Sequence, residues 1–234
     1  MIDLLTALFP NVCVIMVFAY MLTRTRFFNE ILEQRFSRQN RLILALVCGL
    51  FSIYGTISGM EILGGIANIR DLGPAIAGLL AGPLVGMGAG FIGGFHRFFM
   101  GGFTAVPCSV ATVIAGLLGG ILFLLRKKKL PSAYTAAGFA AGMELLHMAL
   151  VLLISRPYEE ALEIVEAVAV PMVATNGLGL GIFFFIVANL IAELKTRSEK
   201  NMIEGELRGA REIQMSIVPR IYPAFPDIDN IDLC

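Results

Sequence analysis

This chain is poor in charge. Only 15% of its 234 residues are charged, against about 25% in an average soluble domain. By contrast, 57% are hydrophobic and the mean hydropathy is +0.79. That balance excludes a water-soluble globule and indicates a membrane protein. The 18 basic and 18 acidic residues cancel. No cluster of Lys or Arg interleaves with aromatics, which removes nucleic acid as a partner. Cys13, Cys48, Cys108 and Cys234 lie far apart without metal-ligand spacing, so free thiols in apolar surroundings are expected and no metal. The start, Met1-Ile2-Asp3, lacks a cationic n-region, and no small-x-small cleavage site follows. The first apolar segment therefore reads as a retained span rather than a signal peptide.

What the chain does have is long apolar runs. A helix needs about 20 residues to cross the hydrocarbon of a bilayer. Uncharged stretches of that order occur at Leu4–Leu22, Leu42–Met60, Leu72–Gly94, Phe103–Leu125 and Ala167–Ala192, and Ala133–Ser155 qualifies despite Glu144 and His147. The expected fold is all-α, a polytopic membrane helix bundle of about six hydrophobic segments with a C-terminal cytoplasmic linker helix. Residues 1–192 form the bundle, 193–219 the linker and 220–234 the start of a further domain.

In the linker, Ile203, Leu207, Ala210, Gln214 and Ile217 alternate four and three residues apart, the seam of a short coiled coil. Homodimerisation through this helix and packing of a lone amphipathic helix on the next domain fit the seam equally. After Pro219 the chain turns to Pro223, Pro226 and aspartates. So few residues bury no core of their own, and a further domain is expected to begin there.

Glycine supplies the packing argument. Gly78, Gly82, Gly86, Gly90 and Gly94 recur every four residues, and Gly116 with Gly120, Gly138 with Gly142, and Gly177 with Gly181 repeat that spacing. Such ridges let backbones approach closely. Lysine and arginine bias sets orientation, and here it conflicts. Arg126-Lys127-Lys128-Lys129 and the first loop, with Arg24, Arg26, Arg35, Arg38 and Arg41, both favour the cytoplasm, yet six crossings place them on opposite sides. A re-entrant Leu72–Gly94, which carries Pro74 and Pro83, is the obvious way out.

Polar groups within such a bundle have few bland explanations, since a charge in hydrocarbon costs roughly 3 kcal/mol or more. Asn68-Ile69-Arg70-Asp71 precedes the third segment, and His96-Arg97 closes it. Guanidinium is a planar, permanently charged fork for carboxylate or phosphate. Thr104, Cys108, Ser109 and Thr112 supply hydroxyl and thiol groups to stand beside the cations, and a small organic anion, a carboxylate, satisfies that set. The plainer readings are a salt bridge from Arg70 to Asp71 or Glu61, and a snorkelling Arg97. One straight helix would hold the two arginines about 40 Å apart, so a joint site requires the break that Gly82-Pro83 permits. Glu144 and His147 share a helix face and either line the cavity or bond each other. Asn176, among Gly177, Gly179 and Gly181, marks another candidate cavity position.

The run from Gly59-Met60-Glu61 through Asn68-Ile69-Arg70 to AGLLAGPLVGMGAGFIGGFHRFFMGGFTAVPCSVATVIAGLLGG, Ala77 to Gly120, resembles the LytS-type five-transmembrane receptor domain, 5TM-LYT, over roughly residues 20–192. The resemblance implies the sensor half of a bacterial signalling protein in the inner (plasma) membrane. Family outputs are cytoplasmic histidine kinases, diguanylate cyclases or phosphatases. It also implies a small carboxylate such as pyruvate as ligand, held by Arg70, Arg97 and Cys108. The pattern departs at Ala111, where related kinases often carry serine.

Glu206 to Pro219, ELRGAREIQMSIVP, resembles the leading helix and first strand of SpoIIE-like metal-dependent serine/threonine phosphatases. That implies Mn or Mg, and a phosphoprotein substrate, for a domain whose metal-binding aspartates lie downstream of this chain. The chain itself is expected to be without catalytic residues or cofactor. A solute transporter subunit and a passive membrane anchor are the competing functions, and the charged linker favours a receptor over a carrier.

Overall fold

The computed structural model describes residues 2–32 and 37–217. Arg35 and the proposed phosphatase start at 220–234 lie outside them. The chain forms two units, Met1–Ala188 and Asn189–Cys234. The elements, in order, are α1 (Ile2–Thr23), α2 (Arg26–Leu32), α3 (Arg38–Ile57), β1 (Met60–Ile62), β2 (Gly65–Ala67), α4 (Leu72–Ala81), α5 (Pro83–Met100), α6 (Ala105–Leu125), α7 (Ala133–Ile154) and α8 (Tyr158–Ile217). Serines start two of the helices, Ser37 accepting from the Asn40 amide at 3.0 Å and Ser132 from the Thr135 amide at 3.2 Å. Each satisfies a donor that the first turn leaves orphaned.

The third apolar segment is not a span. At Gly82 the backbone takes φ 95° and ψ 177°, which a residue with a Cβ rarely adopts. Pro83 then opens α5 at the position where its missing N–H costs nothing. The neighbours of α6 show what the bend does. Along α4 the partners ascend α6: Asp71 meets Thr112, Ala75 meets Gly119, and Gly78 meets Gly120. Along α5 they descend it: Pro83 meets Gly120, Gly86 meets Gly116, Gly90 meets Val113, Gly94 meets Ser109, and Arg97 meets Thr104. The two helices therefore form a re-entrant hairpin with both ends on one side. The glycine ridge makes it possible, since a Cβ on Gly86 would strike the Gly116 carbonyl and one on Gly116 the Gly86 carbonyl.

The expected six segments correct to five at most. Among the described residues α3, α6, α7 and α8 are long and apolar enough to cross a membrane, and Pro10–Thr23 with α2, bent by 85°, makes a fifth if counted as one span. Removing one crossing removes the conflict over charge. Arg41 and Lys128 line a common cavity with Gly82 and Pro83, so the first loop and the Arg126–Lys129 loop share a side.

The core packs Ile15, Leu44, Phe51, Ile76, Leu79 and Phe183, with Phe18 stacked on Phe51 at 4.1 Å. Leu84, Phe91, Phe95 and Phe99 face outward, as lipid-facing surfaces require. Glycine spacing misleads at Gly138 and Gly142, where an added Cβ meets nothing within 4 Å.

In the second unit the helix is exposed almost throughout. Ile203 and Leu207 of the expected seam stand at 53% and 65% exposure, and Lys195–Glu199 and Lys200–Glu204 pair along the surface.

Candidate functional site

A short hairpin and two asparagines place the first arginine. β1 and β2 pair antiparallel with Met60 opposite Ala67, and the chain leaves β2 into Asn68. The Asn68 Nδ2 donates to the Ile66 carbonyl at 2.6 Å, and its Oδ1 accepts from the Arg70 amide at 3.0 Å. Asn176 of α8 ties this turn to the bundle, donating to the carbonyls of Asn68 and Met172 at 3.0 and 3.1 Å. Both asparagines thus hold the backbone of the turn, and Asn176 Oδ1 is left buried without a hydrogen-bond partner.

Arg70 and Arg97 are 0% and 1% exposed, and both sit against α6. Arg70 Nε donates to Thr112 Oγ1 at 2.7 Å and lies 3.4 Å from Asp71 Oδ1. The Thr112 hydroxyl shares its proton between Asp71 Oδ1 at 2.6 Å and the Cys108 carbonyl at 2.8 Å. Arg97 donates to Thr104 Oγ1 at 3.1 Å and to the Gly101 carbonyl. Cys108 stands on α6 between these two threonines, one turn from each, with its carbonyl taking the Thr112 hydroxyl. Three guanidinium nitrogens, Arg70 Nη1 and Nη2 and Arg97 Nε, have no hydrogen-bond partner. Buried donors left unmade cost about 1–3 kcal/mol each, more when charged.

A second cluster adjoins the first. His147 Nε2 lies 3.2 Å from Cys108 Sγ, while its Nδ1 lies 3.0 Å from Asp71 Oδ2 and 3.6 Å from Glu144 Oε2. Asp71, Glu144 and His147 are all buried, and their ligand atoms fall within 4.8 Å of one another. A divalent cation and a shared proton satisfy such a donor set equally well.

A cavity of about 20 Å³ opens beside these groups, bordered by Thr104, Cys108 and His147 on one side and by Met148, Val151, Ile164, Val168 and Met172 on the other, with Gly65 and Ile66 of β2 over it. That is room for about one water. A larger ligand enters only if the hairpin or the start of α8 gives way.

Thr104, Cys108, Thr112, Arg70, Arg97, Asn68, Glu144, His147 and Asn176 are thus brought together. Three other candidates are not. Ser109 turns its hydroxyl to the Ala105 carbonyl at 2.7 Å and lines an apolar groove of about 380 Å³ between α5 and α6. His96 lines another groove with Ile53, Ile92 and Phe99. Glu61 is exposed on β1. The residue that sequence reasoning undervalued is Asp71, noticed only as a salt-bridge partner of Arg70. It bonds to Thr112 and faces both Arg70 and His147. The available signal was its position, a carboxylate at the mouth of an apolar run.

Residues 25–190 match the family described as 5TMR of 5TMR-LYT. The chain is 35% identical over 190 residues to the sensor histidine kinase BtsS of Escherichia coli (strain K12), covering 79% of this chain and 34% of that protein. It is 34% identical over 209 residues to the sensor protein LytS of Bacillus subtilis (strain 168), covering 82% and 35%. To the sensor histidine kinase/phosphatase LytS of Staphylococcus aureus (strain bovine RF122 / ET3-1) it is 28% identical over 222 residues, covering 87% and 38%. The chain spans about a third of the length of these curated relatives. No solved structure matches it.

Proposed function

The chain belongs to the 5TM-LYT family of multi-pass membrane sensor domains, and from that membership we propose that its bundle is a receptor for a small, pyruvate-like carboxylate seated between Arg70 and Arg97. The observation that carries the reading is the set of three unpartnered nitrogens on two buried arginines, whose partners Thr112 and Thr104 flank Cys108 on α6. A carboxylate offers about four lone-pair sites in the geometry of the guanidinium fork. Seating it displaces what lies over the cavity, Ile66 of β2 and Ile164 and Val168 of α8. The helix that carries Val168 also carries Asn176 and continues to Ile217. Ligand therefore acts by favouring one arrangement of α8 over another.

The test is thermal unfolding of the purified chain against a panel of small carboxylates and their neutral amides. A carboxylate at about a hundred times its Kd adds about 2.7 kcal/mol of stability. The amide adds none, and Arg97→Gln removes the response. Equal stabilisation by acid and amide, or a response that survives in Arg97→Gln, rejects the pocket.

The basic loops give the orientation. Arg38, Arg41 and Arg126–Lys129 are placed in the cytoplasm by the positive-inside rule, which puts β1, β2 and the pocket mouth on the outer face of the bacterial inner membrane. In a Cys13→Ser background, Glu61→Cys is expected to react with a membrane-impermeant maleimide on spheroplasts, and Lys129→Cys only after permeabilisation. The opposite pattern inverts the topology.

For output, BtsS is named a sensor histidine kinase and the Staphylococcus aureus LytS a sensor histidine kinase/phosphatase, whereas residues 206–219 resemble the start of a SpoIIE-like phosphatase, and on that string the second reading is preferred. A linker dimer through Ile203, Leu207, Ala210, Gln214 and Ile217 would carry the signal, and Mn or Mg would serve the phosphatase domain. The full-length protein decides between them: Mn-dependent release of phosphate from a phosphoserine protein, changed by the carboxylate, supports the phosphatase, and labelling of its own histidine from ATP supports the kinase.

A further inference from the structure

The carboxylate seat accounts for the arginines but not for the groups behind Cys108. Binding an anion needs donors. It does not need a thiol facing an imidazole whose other nitrogen faces a carboxylate. Yet Cys108 Sγ lies 3.2 Å from His147 Nε2, and His147 Nδ1 lies 3.0 Å from Asp71 Oδ2. Three separate elements, α6, α7 and the turn before α4, supply the three groups. This is the order of nucleophile, base and orienting acid by which a weak nucleophile is activated. Asp71 is fixed in turn by Thr112 and Arg70. The imidazole is slightly out of line with Asp71, since its Nδ1 makes no aligned hydrogen bond. Such bonds commonly tighten only when the ligand is in place.

Resting on the carboxylate reading above, we infer that Cys108 forms a reversible covalent adduct with the bound acid, which requires an electrophilic carbonyl next to the carboxylate. The guanidinium groups hold the carboxylate beside the sulfur, so the atom presented to it is the next carbon along. In a 2-oxo acid that carbon is an electrophilic carbonyl. The apolar wall of Met148, Val151, Ile164 and Val168 takes a short alkyl end and nothing charged.

In the step, His147 Nε2 accepts the Cys108 proton as the sulfur electron pair attacks the carbonyl carbon. The C–S bond forms and the C=O π bond breaks, its electrons going to oxygen. That oxygen then takes the proton back from His147. The product is a neutral hemithioketal. Nothing is oxidised or reduced, no group leaves, and the reverse path releases the ligand unchanged. Cys108 is the nucleophile, His147 relays its proton, and Asp71 positions the imidazole.

The experiment uses the whole chain in lipid nanodiscs with pyruvate carrying an NMR-active carbon label at its carbonyl. The expected result is a bound resonance in the tetrahedral-carbon region that disappears in Cys108→Ser. Lactate has the same carboxylate and no electrophile, and acts as the internal control. Wild type is expected to bind pyruvate roughly tenfold or more tighter than lactate. Cys108→Ser should lose the pyruvate preference and bind the two acids about equally, and its ligand-free melting temperature shows that the variant is folded. His147→Gln should weaken the pyruvate preference. Bound pyruvate whose carbonyl stays trigonal, with lactate bound as tightly, overturns the adduct and leaves the carboxylate seat standing. Failure of both acids to bind removes the seat, and the adduct with it.

Discussion

Arg70→Ala is expected to destabilise the bundle by about 3–5 kcal/mol, the cost of leaving a buried charge without its partner. The charge left behind is Asp71, 5% exposed and 3.4 Å from the lost guanidinium. Asp71→Ala should cost a similar amount, because it strands Arg70, takes one of two acceptors from Thr112 and removes the carboxylate that His147 faces. Removing both charges together should cost less than the sum by about 1–3 kcal/mol, the coupling typical of residues in one network. Arg26→Ala supplies the contrast. Its pair with Glu30 is formed by a side chain 95% exposed, so its loss should stay within about 0.5 kcal/mol. Thermal unfolding of the four variants in one detergent measures all of this. Costs for Arg70→Ala and Asp71→Ala that simply add, within about 0.5 kcal/mol, would mean the two charges do not sense each other and the site is not the closed network described.

Much of this was legible before any coordinates, and the failures have physical causes. The glycine period of four says that a face is bare but not whether the chain keeps its direction, so the segment beginning at Leu72 reads as one span. The evidence for a reversal was elsewhere, in basic loops that five crossings reconcile and six do not. On α6, Cys108 and Thr112 stand four residues apart on one face, and both join the buried cluster. Ser109 belongs about 100° further round the helix and so meets lipid. The same rotation separates His96 from Arg97. Glu144 and His147 were legible as a pair on one stripe. That they face Asp71 and Cys108 is a tertiary fact, fixed by how α7 lies against α6, and no spacing within a segment contains it. Asp71 was discounted because adjacency to Arg70 offered a local explanation that proved only part of its role.

Gly116→Ala tests whether the re-entrant hairpin is what sets the site. A Cβ at Gly116 would meet the Gly86 carbonyl, and Gly86 itself lies against both Gly116 and Gly78. No rotamer relieves a clash between backbones, so α4 and α5 must move off α6. The cost should be about 3 kcal/mol, at the upper end for overpacking. The movement displaces Asp71 from Thr112 and Arg97 from Thr104, whose bonds span 2.6 and 3.1 Å, so the stabilisation by carboxylate should vanish even in the fraction that folds. Gly138→Ala carries the same chemical change in the same G-x-x-x-G context, but nothing lies within 4 Å of its added methyl. It should be neutral or stabilise by up to about 1 kcal/mol through helix propensity, with the ligand response intact. Melting temperature and carboxylate-induced shift, read on the same preparations, separate the two. If Gly116→Ala melts with the wild type and still responds, α4 and α5 are not seated on α6, and the two arginines lose the geometry that brings them to Cys108.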